Sequence, residues 1–150
     1  MEEQIKMAKL NAEYNKKKNI IKADKQRVEE GKHAALQQVD EEYHEKKRSL
    51  LATIADIRKQ KEGLALDDPK RAEFSDNIRN VEDMLSIIRD ERDIKARNVA
   101  HEAFSAHMEL EEESRRLGER YEEEKIKIME EQQAAKFAAK AAEAEEGGEQ

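Results

Sequence analysis

Four histidines (His33, His44, His101 and His107) and two glutamate runs, at 111–113 and 122–124, are the side chains whose types invite a search for chemistry. Imidazoles bind metals and move protons near neutral pH, and clustered carboxylates attract divalent cations. The spacing supports neither role. His101 and His107 are six apart, so on a helix they leave from different faces. The glutamate runs lack the Asp-x-Asp-x-Asp-Gly turn of a calcium loop and read as solvated helix faces. The five glycines are scattered apart from the terminal pair, which leaves no phosphate-cradling loop, and no serine sits in a nucleophile elbow. Catalysis also needs a concave, water-poor site. The expectation is a protein that is not an enzyme and that uses no cofactor and no metal.

The elements that would carry these residues are long helices. Charged residues make up 43% of the chain and apolar ones 37%, with no Trp and no Cys, too few large side chains for a thick globular core. Ala, Glu, Lys, Arg and Gln dominate, the composition of long helices and coiled coils. The one proline lies in Lys-Glu-Gly-Leu-Ala-Leu-Asp-Asp-Pro-Lys, residues 61–70, and divides the helical text into two arms. Gly63 is expected to end the first helix in the left-handed conformation. Asp68 is expected to cap the second, with Pro69 in its first turn. The expected organisation is a first arm over 1–62, a turn over 63–68, a second arm over 69–133 and an Ala/Glu/Lys-rich tail over 134–150.

Apolar residues recur at three, four and seven, the spacing of a coiled-coil seam. The first arm runs Met7, Tyr14, Ile21, Val28 and Ala35, slips by one, and resumes at Tyr43, Leu50, Ile57 and Leu64. The second runs Phe74, Ile78, Val81, Leu85 and Ile88, then Val99, Ala106, Leu110, Leu117, Tyr121 and Ile128. In an antiparallel hairpin, facing positions add to a constant. Taking 135 pairs Ile57 with Ile78, Ile54 with Val81, Leu50 with Leu85, Leu36 with Val99, Tyr14 with Tyr121 and Met7 with Ile128. It also sets Gly31 opposite Phe104, small against large. The fold class is therefore all-α, a long antiparallel two-helix coiled-coil hairpin. A compact bundle of shorter helices, broken at Gly31 and Gly118, is the alternative.

The seam is uneven. Leu50, Ile54, Ile57, Leu64, Ile78, Val81, Leu85 and Ile88 lie near the bend, where each contributes roughly 1.5–3 kcal/mol if buried. Farther out, Lys17, Asp24, Gly31, Arg92 and Lys95 take positions that a seam would fill with apolar groups. A firm bend and a looser remainder are expected.

Residues 1–62 carry 15 Lys/Arg against 12 Asp/Glu, and residues 63–150 carry 14 against 24, which accounts for the net −7. A basic first arm beside an acidic second one suits pairing between arms. Lys16, Lys17, Lys18, Lys22, Lys25 and Arg27 face a strip holding Glu109, Glu111, Glu112, Glu113 and Glu119 in the same register. The acidic total gives little encouragement to nucleic-acid binding, which rewards a basic excess. Glu42 and Glu45 face Asp93 and Asp90, against the pattern.

A second stripe, Ile87, Ile94, His101 and Met108, repeats every seven residues outside the seam, and Ile20, Leu51, Ile126 and Met129 also lie off it. With Phe137 in the tail, Ile87, Ile94 and Met108 are the candidate partner interface. Protein partners are expected, as a homo-oligomer or a larger assembly. No run approaches the ~20 apolar residues of a transmembrane helix. The acidic opening residues lack a signal peptide's apolar stretch, and the absence of cysteine fits a reducing compartment. The expected setting is cytoplasmic, or an assembly formed there.

In size, charge and helix-turn-helix layout the chain resembles the coiled-coil hairpin stalk proteins of flagellar and type III export machinery, and small scaffolding proteins of phage heads. That likeness implies either an oligomerising scaffold, spacer or stalk component, or an adaptor or holding chaperone for a client helix. It carries no motif and so no functional residues.

Overall fold

The computed structural model describes residues 2–148 and contains two helices, α1 (Glu2–Glu62) and α2 (Lys70–Gly148), packed as an antiparallel hairpin. Each helix begins with acidic residues in its first turn, Glu2 and Glu3 in α1 and Glu73 in α2. α1 ends with Lys59 and Lys61 beside its unpaired carbonyls, the arrangement the helix dipole favours. Both helices run unbroken through Gly31 and Gly118, which removes the short-helix bundle. A glycine inside a helix costs only about 1 kcal/mol, far less than breaking a long hydrogen-bonded ladder.

The turn is built differently from the expectation at one end and as expected at the other. No described glycine has a positive φ, so Gly63 does not stop α1 in the left-handed conformation. The helix instead tightens: the Gly63 amide donates to the Lys59 carbonyl (3.3 Å) and the Leu64 amide to the Lys61 carbonyl (3.1 Å). The first is an ordinary four-residue helical bond and the second a three-residue bond, which closes a helix end without a left-handed residue. The Asp68 amide then donates to the Ala65 carbonyl (3.0 Å), forming the next bend. Asp68 caps α2, its Oδ1 accepting the Lys70 amide at 3.0 Å, with Pro69 in the first turn where it forfeits no helical bond. The Arg71 guanidinium donates to the Leu64 carbonyl (3.0 Å) and ties α2 to the turn that follows α1.

Contacts divide the chain into two units, and each unit takes a piece of both arms. The turn unit is Val28–Ser105. Ile54, Ile78 and Val81 are buried together in it, with Leu50, Ile57 and Leu85 packed against them. These are the facing pairs of the 135 register. A two-helix seam is walled on only two sides, which is why Leu50, Ile57, Leu85 and Ile88 remain half-buried.

The terminal unit is Met1–Arg27 with Ala106–Gln150. The same register holds within it. Tyr14 stacks on Tyr121 with ring centroids 4.3 Å apart and planes inclined by 25°, and Met7 and Ile128 are both half-buried. Among its described residues the buried apolar side chains are Leu10 and Ile21. Lys125 stands opposite the first in the register and Ser114 opposite the second, so the apolar side chains near them come from flanking positions: Leu10 shares a groove with Leu117 and Tyr121, and Ile21 one with Met108 and Leu117. From Ala134 to Glu146 every residue is exposed, a helical extension without a facing arm.

The pairing of Gly31 with Phe104 does not form. Phe104 is 63% exposed, and a Cβ placed on Gly31 would touch nothing within 4 Å. The half-buried residues at this level are Lys32 and Ala103, which themselves add to 135. Gly31 and Phe104 each sit one step around the helix from that seam.

Candidate functional site

Surface chemistry in this chain is of two kinds: charges that bridge or decorate the seam, and apolar side chains that the hairpin leaves outside. In the turn unit, Arg92 occupies a seam position that an apolar residue would ordinarily fill. Its guanidinium lies 4.2 Å from the centroid of the Tyr43 ring, and its Nε and Nη2 donate to Asp93 Oδ1 at 3.3 and 3.1 Å. Cation–π stacking of this kind lets a charge serve as a flat packing element. Tyr43 and Arg92 add to 135, so the register held the signal that sequence reasoning passed over.

The like-charged positions opposite each other in this unit are neutralised locally. Glu42 takes Lys95 at 3.6 Å, Asp93 takes Arg92 at 3.1 Å, and Asp90 takes Arg89 at 3.9 Å. Three of the four facing carboxylates, Glu42, Asp90 and Asp93, thus have a cation within 4 Å.

The charged strips of the terminal unit pair less across the arms than their register suggests. Among the described residues, the bridge from the 14–27 strip to α2 is Lys25 to Glu111, at 2.5 Å. That ammonium, and more weakly His107 with its Nε2 3.6 Å from the same carboxylate, holds Glu111 below the ordinary carboxylate range. Glu112 is held low by Arg115, which also bonds Glu119, and Arg116 adds a third contact along the helix. The strip at 108–121 contains Arg115, Arg116 and Arg120 as well as glutamates. Neighbours one turn apart on α2 reach each other more easily than lysines across the seam. Toward the chain ends, Lys6 meets Glu131 at 3.4 Å, and the Tyr121 hydroxyl donates to Asn11 Oδ1 at 2.6 Å.

The seam residues named from the sequence fall as follows. Ile54, Ile78 and Val81 are buried, Leu50, Ile57 and Leu85 pack on them, and Tyr14 stacks on Tyr121. Leu10, buried in the terminal unit, escaped the reading although it stands three residues after Met7 and four before Tyr14.

The four candidate interface residues all face outward. Ile87 is 55% exposed, Ile94 56%, Met108 51% and Phe137 75%. Ile87 and Ile94 belong to the turn unit, Met108 and Phe137 to the terminal unit. Two open apolar grooves lie beside these residues. In the turn unit, Leu50, Met84, Ile87 and Ile88 line one of about 310 Å³, flanked by Lys46 and Ser49. In the terminal unit a larger groove of about 890 Å³ has Ile20, Ile21, Met108 and Leu117 as its apolar floor. Its rim is charged.

Among the described residues, no three His, Asp or Glu side chains converge as a metal-binding group, and no helix is long and apolar enough to cross a membrane. Compared with protein-family models, curated proteins and solved structures, the chain matches none of them.

Proposed function

We propose that this hairpin is a non-catalytic structural protein that acts by packing helix faces, an oligomerising component of a larger assembly such as a scaffold, spacer or stalk. The observation that carries the reading is the exposure of Ile87 and Ile94, seven residues apart in the turn unit, and of Met108 in the terminal unit, fourteen residues further along α2. Single exposed apolar residues are ordinary on any protein surface. A helical stripe of them, beside grooves floored by further apolar residues, is the pattern by which coiled coils recruit another helix. The half-buried seam adds to this, because a third or fourth helix would cover flanks that two helices leave wet. The cysteine-free composition fits assembly in the cytoplasm.

Light scattering on the full chain over a wide concentration range tests the reading. An assembly role gives a mass that rises with concentration and falls when Ile87 and Ile94 are changed together to serine. A mass fixed at 17.4 kDa throughout would refute self-assembly. That outcome would favour the competing reading, an adaptor or holding chaperone whose polar terminal seam admits a client helix.

A further inference from the structure

The rim of the terminal-unit groove is polarised along its length. Glu109, Glu112 and Glu113 lie at one end, and Lys17, Arg116 and Arg120 at the other. On α2, Glu109, Glu113, Arg116 and Arg120 are separated by four, three and four residues, so they share one helix face. A surface with an acidic half and a basic half, joined by an apolar floor, is complementary to itself once rotated by 180°.

We infer that this groove is the interface of a two-fold dimer, in which the α2 helices of two copies pack antiparallel. Glu109 of one copy then faces Arg120 of the other, and Glu113 faces Arg116. Both pairings are symmetric about the same point, between Ser114 and Arg115, as a closed two-fold contact requires. A parallel arrangement would set glutamate against glutamate and arginine against arginine. The apolar floor is what the contact buries: Ile20 at 52% exposure, Met108 at 51%, and the half-buried Leu117. The occupant also suits the seam beneath, where Ile21 is buried opposite Ser114 and a Cβ on Gly118 would meet nothing within 4 Å. The polar rim sets orientation and partner choice, and the floor supplies the association energy.

This inference rests on the self-association reading and names its geometry. The natural chain has no cysteine, so full-length single variants Glu109→Cys and Arg120→Cys report orientation through a short bis-maleimide crosslinker. The expected result is efficient crosslinking in a mixture of the two variants and little with Glu109→Cys alone. Crosslinking of Glu109→Cys with itself would overturn the antiparallel arrangement. Absence of any crosslink, in samples that light scattering shows to be oligomeric, would overturn the groove as interface while leaving self-association intact. A strictly monomeric chain would overturn both. A second measurement does not depend on crosslinking chemistry. Arg120→Glu should weaken dimerisation about tenfold, and the double exchange Glu109→Arg with Arg120→Glu should restore it. Failure of the double exchange to restore association would contradict the pairing.

Discussion

The turn unit and the terminal unit share one register and differ in what fills it. In the first, Ile54, Ile78 and Val81 form a buried cluster with three further aliphatic residues packed on it. In the second, Ile21 is as buried as Ile54, both at 5% exposure, yet faces Ser114 beside an open groove. Burial of one residue therefore says little about how firmly a seam is closed. What differs is whether the buried residues form one cluster, as Ile54, Ile78 and Val81 do, or stand about 16 Å apart along one helix, as Leu10 and Ile21 do. A seam with a closed aliphatic cluster holds two helices by itself, whereas a seam whose buried residues are spaced out, with Ser114 and Gly118 between its apolar positions, leaves surface for a further helix.

The largest expected effect separates the units directly. Ile54→Ala should destabilise the turn unit by about 2–4 kcal/mol, because it removes transfer energy and leaves a void inside a cluster. Ile21→Ala should cost less, roughly 1–2 kcal/mol, since the adjoining groove already admits water and no closed cavity forms. Urea unfolding of both variants checks the ordering, and equal losses would remove the distinction between the seams.

Glycines give the next effect. Gly118→Ala and Gly31→Ala should each stabilise the protein by about 1 kcal/mol, because neither position has a neighbour for the added methyl group to strike. Gly63→Ala should be tolerated, since Gly63 has no positive φ and its new Cβ would stand 3.5 Å from the Gln60 carbonyl oxygen. Destabilisation by more than ~1 kcal/mol, read from the thermal midpoint, would restore the left-handed helix stop.

Arg92→Met keeps the length of the side chain while removing the stacked charge. A loss of about 0.5–1 kcal/mol is expected from the Tyr43 contact, and a Tyr43→Leu background should abolish that loss. An unchanged loss in that background would mean that Asp93 alone engages the guanidinium.

The smallest effect concerns pH. The folded-state pKa of Glu111 is lowered from 4.5, chiefly by Lys25. Its contribution is therefore fully present above 4.5 and is lost as pH falls through the depressed value. Because the group is exposed, the effect is slight and screened by salt. Glu111→Gln should flatten the acid side of the terminal unit's stability profile while leaving the turn unit unaffected. An unaltered profile would show the Lys25 bridge to be energetically silent.

Most of the architecture was legible because a coiled-coil hairpin obeys arithmetic. Once Ile54, Ile57, Ile78 and Val81 set the constant, Tyr14 met Tyr121 without further assumption. What escaped were features that periodicity does not encode. A helix can end by tightening as well as by a left-handed glycine, and Gly63 permits both. Phe104 was assigned to the seam by its position in the sum, although Ala103 beside it points inward. Charges were matched across the arms by counting opposite strips, whereas glutamates on α2 found arginines three and four residues away on their own helix. The candidate interface residues were legible as a stripe. The grooves beside them, and the polarity of the larger rim, depend on how two helices sit together and needed the three-dimensional structure.

Amide hydrogen exchange on the full chain, at low and high protein concentration, addresses the contrast between the units most directly. In dilute solution, strong protection is expected around Ile54, Ile78 and Val81, with weaker protection over 14–27 and 106–121. At high concentration the second set should gain protection while the first stays unchanged. Equal protection in both units, unaltered by concentration, would contradict a closed turn unit and a terminal unit completed by a second copy.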